Sequence, residues 1–220
     1  MKPCGDPWTA SGMKDYNKQH EAPVRDFLAR IVQDSANHAK FLNMLSMLEH
    51  MGSRKIMVSQ MNRQDELDQD TLQHLAEEAR HAYFFKRHAE RINGAPMKGW
   101  VDDNTMTRVP ALMYFGRMDA GISKQVGDDA AYGWVSLIIE LRACWLYRIY
   151  NDVVEAEGVH LPLKGLIAEE DGHLEEMFEM CGENYDLLAE LSRYETSLFV
   201  KLWTALEQAY PLGLDNAKAA

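Results

Sequence analysis

The pattern of apolar and polar positions is helical along most of the chain. Apolar residues recur three and four positions apart, a spacing that places them on one face of a helix. The runs with this spacing lie at about residues 23–60, 70–92, 129–157, 162–181 and 185–210. Within the first run, Asp34 or Ser35 can cap a restart, so we expect a short entry helix before a long one. No strand pattern is present, and the predicted fold class is all-α.

The segments between and outside these runs define the predicted organisation. Residues 94–128 contain five glycines and two prolines and only one plausible short helix, so we expect a long crossover there. Residues 1–22 are rich in Pro, Gly and polar side chains and are predicted to form a loosely ordered lead-in. A single helical domain is expected at 23–210, followed by a small-residue tail at 211–220.

An internal repeat links the second and fourth of the long predicted helices. Residues 75–81 read LAEEARH and residues 167–173 read IAEEDGH, which share the pattern apolar-Ala-Glu-Glu-x-x-His. The helix before each copy carries a lone glutamate in an apolar stripe, Glu49 in one case and Glu140 in the other. The first pair of helices is therefore repeated by the second pair.

This repeat has the spacing that a two-metal site requires. Side chains three positions apart on a helix project side by side, so the Glu and His of Glu-x-x-His can bind one metal ion together. A glutamate from each facing helix completes the arrangement found in di-iron and di-manganese bundles. Two divalent cations would also neutralise four buried carboxylates, which are costly to bury without partners. The predicted ligands are Glu49, Glu78, His81, Glu140, Glu170 and His173.

Several neighbouring residues are candidates for supporting roles. Glu77 and Glu169 lie four positions before the histidines and could bind in place of the predicted ligands, but we favour them as acceptors that orient a histidine across the site. His74 lies four positions before Glu78 and is a candidate for contact with a ligand. Cys144 and Tyr147 share the metal-facing stripe of the third long helix, where core packing competes with a redox role for Tyr147.

At these residues the chain resembles the ferritin-like di-iron carboxylate superfamily, over roughly residues 35–180. Two complete Glu-x-x-His elements look more like its oxygenase and oxidase branch than like ferritins. Residues 139–144, IELRAC, resemble a segment of tRNA-modifying di-iron hydroxylases, and residues 136–140, SLIIE, one of aldehyde-deformylating oxygenases. The resemblance implies a ferritin-like four-helix bundle with a long crossover and accessory helices. It also implies two Fe ions as cofactors, with Mn possible at one or both positions.

The function that follows is an O2-dependent, non-haem di-iron oxidoreductase. We expect an oxygenase or oxidase that activates O2, oxidises or hydroxylates a small organic substrate and draws electrons from an external donor. One alternative is a tRNA-modifying di-iron hydroxylase. Another is a ferroxidase, iron-handling or peroxide-scavenging ferritin-like protein. A structural bundle that has lost its metals is disfavoured, because all six ligand types are present.

Charge and cysteine content limit the partners. The chain has 23 Lys and Arg against 34 Asp and Glu, a net charge of -11, which provides no general electrostatic attraction for nucleic acids or anionic lipids. Three cysteines without a CxxC spacing disfavour both a disulfide framework and a rubredoxin-type centre. No apolar stretch of about 18 residues predicts a membrane span. We expect a cytoplasmic protein, with a homodimer possible.

Overall fold

The computed structural model describes residues 6–61 and 68–211, and these residues form helices without any strand. The all-α prediction is therefore confirmed for this part of the chain. None of the described helices has both the length and the apolarity that crossing a bilayer requires. The helices are α1 (Pro7–Ser11), α2 (Met13–Gln33), α3 (Ser35–Gln60), α4 (Gln69–Asn93), α5 (Arg108–Val126), α6 (Asp128–Ala156), α7 (Lys164–Cys181) and α8 (Tyr185–Ala209).

Four of these helices surround a common interior. α3 packs along α4, α6 packs along α7, and the two pairs meet through contacts of α3 with α6 and of α4 with α7. α6 also contacts α2, α5 and α8, and it is apolar around almost its whole circumference from Ala131 to Ile138. A helix with apolar side chains on every face belongs in the centre of a fold, which is where α6 lies.

The helical region begins earlier than the sequence analysis predicts. Residues 7–22 were expected to form a loosely ordered lead-in, and this expectation is wrong, because α1 and α2 occupy them and Pro23 lies inside α2. A proline inside a helix removes one backbone hydrogen bond at a cost of about 3 kcal/mol or more. Burial of Met13 before the proline and of Val24 and Phe27 after it continues one packed face and offsets that cost.

The connection between α4 and α6 is long, as predicted, but it contains a longer helix than expected. Gly94 ends α4 in a left-handed conformation with φ of 70°, and α5 then supplies 19 helical residues. Pro110 lies in the first turn of α5. N–H groups in the first turn of a helix have no acceptor within the helix, so the missing N–H of the proline costs no hydrogen bond. Cys4 and all of the predicted tail except Pro211 lie outside the described residues.

A buried ion pair fastens the outer helices to α6. Arg142 donates from Nε and Nη2 to the Glu195 carboxylate on α8, at 2.8 and 2.7 Å. It also donates to the side-chain oxygen of Asn17 on α2, at 2.9 Å, while the Tyr114 hydroxyl on α5 donates to Glu195 at 2.6 Å. Bidentate pairing with these further hydrogen bonds is the condition under which a buried ion pair is tolerated.

Candidate metal centre

All six predicted ligand residues meet in the interior between α3, α4, α6 and α7. Each is 7 % exposed or less. Together with His74 they form two groups of four residues that share Glu78, and the ligand atoms of each group lie within 4.8 Å of one another. These buried His and Glu groups could hold a metal ion. One group is Glu49, Glu78, His81 and Glu170, and the other is His74, Glu78, Glu140 and His173.

Glu78 and Glu170 occupy the centre of the site, because each faces both histidines. Glu78 Oε1 lies 3.7 Å from His81 Nδ1 and 3.8 Å from His173 Nδ1. Glu170 Oε1 lies 3.1 Å from His81 Nδ1, and its Oε2 lies 3.5 Å from His173 Nδ1. Both carboxylates therefore lie between the two imidazoles.

The central atoms fit a cation because they lack ordinary partners. Nδ1 of His81, Nδ1 of His173 and both carboxylate oxygens of Glu170 are buried and make no hydrogen bond of acceptable geometry with the described residues. A buried polar atom left unpaired costs about 1–3 kcal/mol, and a charged one costs more. Imidazole nitrogen and carboxylate oxygen that converge in this way are donors that can hold a metal ion.

Two glutamates hold the histidine rings from outside. His81 Nε2 lies 2.8 Å from Glu169 Oε2, and His173 Nε2 lies 2.7 Å from Glu77 Oε2. Each pair crosses between α4 and α7, which is the contact that the predicted role of Glu77 and Glu169 in orienting a histidine across the site requires. Arg80 Nη2 lies 2.8 Å from Glu169 and 3.4 Å from Glu77. An Nε2–H that donates to a carboxylate leaves the Nδ1 lone pair directed into the site.

The electrostatics of the metal-free site favour bound protons. Burial, reinforced by the charges of Glu78 and Glu170, raises the pKa of Glu49 well above its usual value. Burial and the same two carboxylates have this effect on the pKa of Glu140. Burial alone would lower the pKa of His81, but the facing carboxylates of Glu170 and Glu78 raise it to about 12. Bound protons thus offset the negative charge of the closely spaced carboxylates, in the place where a cation could otherwise offset it.

Tyr147 and Cys144 lie close to the site, in different roles. The buried Tyr147 hydroxyl donates a hydrogen bond to Oε1 of Glu49, which fixes that carboxylate. Cys144 Sγ lies 3.5 Å from Oδ1 of Asp171. Burial raises the pKa of the Cys144 thiol, so it remains protonated and packs as a small apolar group. A redox role for Tyr147 stays a prediction.

Two features of the site go beyond the predicted ligand set. His74 is a member of the second group, and burial together with neighbouring His173 lowers its pKa to about 4, which keeps the ring neutral. Gly52 lies one turn after Glu49, and a Cβ there would come within 2.7 Å of Glu78 Oε2. In the sequence, His74 stands four residues before Glu78 and Gly52 stands three residues after Glu49. Neither spacing shows which side chains the facing helices contribute, so the sequence alone did not reveal these two roles.

An apolar cavity adjoins the carboxylates. The centre of a water-sized sphere can occupy about 80 Å³ of this cavity. Its walls are mainly apolar side chains, and all four ligand glutamates reach its surface. The apolar walls include Met44, Leu48, Phe115, Met118, Leu146 and Leu202. Such a compartment can exclude water and admit an apolar molecule to the site.

The assignment of this site rests on the geometry of the described residues. Neither protein-family models, nor curated proteins, nor solved structures give a match to the chain.

Proposed function

We propose that α3, α4, α6 and α7 form a ferritin-like four-helix bundle that binds two iron ions, with manganese possible at either position. We further propose that the protein is an O2-dependent oxygenase or oxidase of a small organic substrate. The observation that carries this proposal is the convergence of two buried Glu-x-x-His elements beside an apolar cavity. When bound, the iron pair would supply the redox chemistry of O2 reduction, with electrons from an external donor.

The ligand roles follow from the positions of the side chains. Glu78 and Glu170 face both histidines and would bridge the two cations. Glu49 would bind at one end of the site and Glu140 at the other. The charge balance supports this arrangement, because four carboxylates and two divalent cations sum to zero in an interior where net charge is expensive.

The cavity favours an organic substrate over iron as the substrate. Its walls are apolar up to the carboxylates, which suits an apolar molecule better than a hydrated cation. Its size of about 80 Å³ accommodates O2 with a short apolar group rather than a whole drug-sized molecule. The proposed substrate is therefore small or presents a slender apolar end to the metals.

The remaining parts of the proposal concern the setting of the enzyme. The cysteines among the described residues, buried Cys144 and half-buried Cys181, are free thiols, which fits a reducing, cytoplasmic location. A possible homodimer belongs to the same proposal. The net charge of -11 makes tRNA the less favoured substrate, and a mobility shift with tRNA that weakens with salt would reverse that preference.

Anaerobic loading with ferrous iron followed by mixing with O2 tests the proposal. We expect two irons per chain and an optical change that requires O2. His173→Ala should lower the iron stoichiometry, whereas His160→Ala, in an exposed connection before α7, should leave it at two. Fewer than two irons in the unaltered chain, or no reaction with O2, would refute the proposal. Continued uptake of iron beyond two per chain would instead identify the iron-handling alternative.

A further inference from the structure

His74 lies inside the metal centre although it belongs to neither Glu-x-x-His element. Its side chain is 2 % exposed, and its place one turn before Glu78 puts both residues on the same face of α4. Nε2 of the ring lies 3.5 Å from Glu140 Oε1 and 3.8 Å from Glu78 Oε1. Nε2 of His74 therefore faces the carboxylates of Glu140 and Glu78, which belong to the same group of four residues.

The other ring nitrogen is held from the opposite side. Nδ1 of His74 lies 3.0 Å from the hydroxyl oxygen of Tyr132 on α6. If Nδ1–H donates to that oxygen, Nε2 keeps its lone pair free and aimed at Glu140 and Glu78. His81 and His173 are held in the same way, except that their outer acceptors are carboxylates. All three histidines thus have one outer partner and one nitrogen in the site.

The two ends of the centre differ because of this ring. The group that contains Glu49 has one histidine, His81, whereas the group that contains Glu140 has two, His74 and His173. The ring centroids of His74 and His173 are 4.3 Å apart with a 37° tilt between the planes. Two rings beside each other, each with a nitrogen near the same carboxylates, can bind one cation together.

We propose that His74 is a seventh ligand, which binds through Nε2 the metal ion next to Glu140 and makes the two metal positions unequal. The inference rests on the proposed two-metal function and adds a ligand to it. Tyr132 is the positioning residue that fixes the His74 tautomer. If Glu78 and Glu170 are shared between the two ends as proposed, Glu49 and His81 would complete the ligand set at one end. Glu140, His74 and His173 would complete it at the other, so the end next to Glu49 would offer one protein ligand fewer.

Cobalt(II) is the probe for this proposal, because an imidazole bound to paramagnetic cobalt gives a strongly shifted N–H proton resonance that disappears in deuterium oxide. Chain loaded with two cobalt ions should show three such resonances, from His74, His81 and His173. His74→Gln should show two, while His88→Gln, at a buried histidine of α4 outside both groups, should still show three. Tyr132→Phe should keep three resonances. Its affinity for one of the two cobalt ions, measured by competition with a chelator, should be about 10- to 100-fold lower.

The outcomes separate this inference from the function on which it rests. Two cobalt ions with only two exchangeable resonances in the unaltered chain, and no change in His74→Gln, would overturn the role of His74 and leave the two-metal site intact. Failure of the unaltered chain to bind two ions would overturn both. If His74→Gln does not fold, the count in the unaltered chain and in Tyr132→Phe decides the question.

Discussion

Metal-free protein should lose stability as the pH rises from 6.5 to 8, and metal-loaded protein should gain it. The cause is the set of protons that the buried site retains. The pKa values of Glu49 and Glu140 are raised by burial and by neighbouring carboxylates. The pKa of His81 is raised to about 12 by Glu170 and Glu78, against the effect of burial.

The sign follows from proton binding in the two states. In the unfolded chain, glutamate loses its proton near pH 4.5 and histidine near 6.5. Above pH 6.5 the folded chain therefore holds protons that the unfolded chain has released, and rising pH favours unfolding. Each such proton contributes up to about 1.4 kcal/mol per pH unit, so Glu49, Glu140 and His81 alone give a slope of up to about 4 kcal/mol per pH unit. The raised pKa values of Glu78 and His173 act in the same direction, whereas His38 and His74, with pKa values lowered to about 4, oppose it chiefly near pH 6.5.

Glu170 does not change this slope. Its pKa is lowered, because the imidazoles of His173 and His81 outweigh the opposing effect of burial. Its stabilising contribution is lost only as the pH falls below about 4.5. Divalent cations reverse the trend between pH 6.5 and 8, because they must displace the protons of Glu49, Glu140 and His81, and binding therefore strengthens as the pH rises.

Urea unfolding of the metal-free and manganese-loaded chains at four pH values between 6.5 and 8 measures both slopes. Titration calorimetry in buffers of different ionisation enthalpy counts the released protons, and we expect about two to three per chain. Glu49→Gln should release about one proton fewer. Metal-free stability that is constant or rises over this range, or metal binding without proton release, would refute the reasoning.

Three further predictions concern single contacts. Glu169→Gln weakens the acceptor of His81 Nε2–H and should lower metal affinity about 10- to 100-fold, measured by chelator competition. Gly52→Ala places a methyl group against the Glu78 carboxylate and should weaken metal binding about 10-fold or more, while the metal-free stability changes by less than about 1 kcal/mol. Arg142→Met leaves a buried carboxylate without its partner and should cost about 3–5 kcal/mol in urea unfolding.

Matched variants serve as controls for these three. Glu179→Gln, on the exposed side of α7, should leave metal affinity unchanged, and equal losses in both glutamate variants would contradict a specific role for Glu169. Gly116→Ala adds a methyl group to α5 in open space and should not affect metal binding. Replacing Glu195 by Leu in the Arg142→Met background should restore part of the lost stability, and a further loss would contradict the ion-pair explanation.

The convergence of the six predicted residues could be foreseen from the sequence because much of its geometry is local. Glu and His three positions apart must share a helix face, and the duplicated element indicates that two such faces oppose each other. The position of Glu77 and Glu169 at the edge of the site also followed from spacing, since each adjoins a predicted ligand glutamate and lies one turn before a histidine of its own helix. Burial of Glu49 and Glu140 followed from the apolar residues around them.

The rest depends on contacts between residues that are distant in sequence. The place of His74 required Tyr132 and Glu140 from α6, which no spacing within α4 reveals. Arg142 and Glu195 are 53 residues apart, and their pairing depends on how α8 packs against α6. The continuation of α2 through Pro23 was missed because local propensity opposes it and only the burial of its packed face explains it.

The central proposal is that the Glu78 and Glu170 carboxylates would be shared by two bound cations. Anomalous diffraction at the iron edge, from crystals loaded anaerobically with ferrous iron, tests it most directly. We predict two peaks about 3.5–4 Å apart, as in other two-metal sites, with both carboxylates between them. A single peak, or iron only at surface carboxylates, would contradict the account.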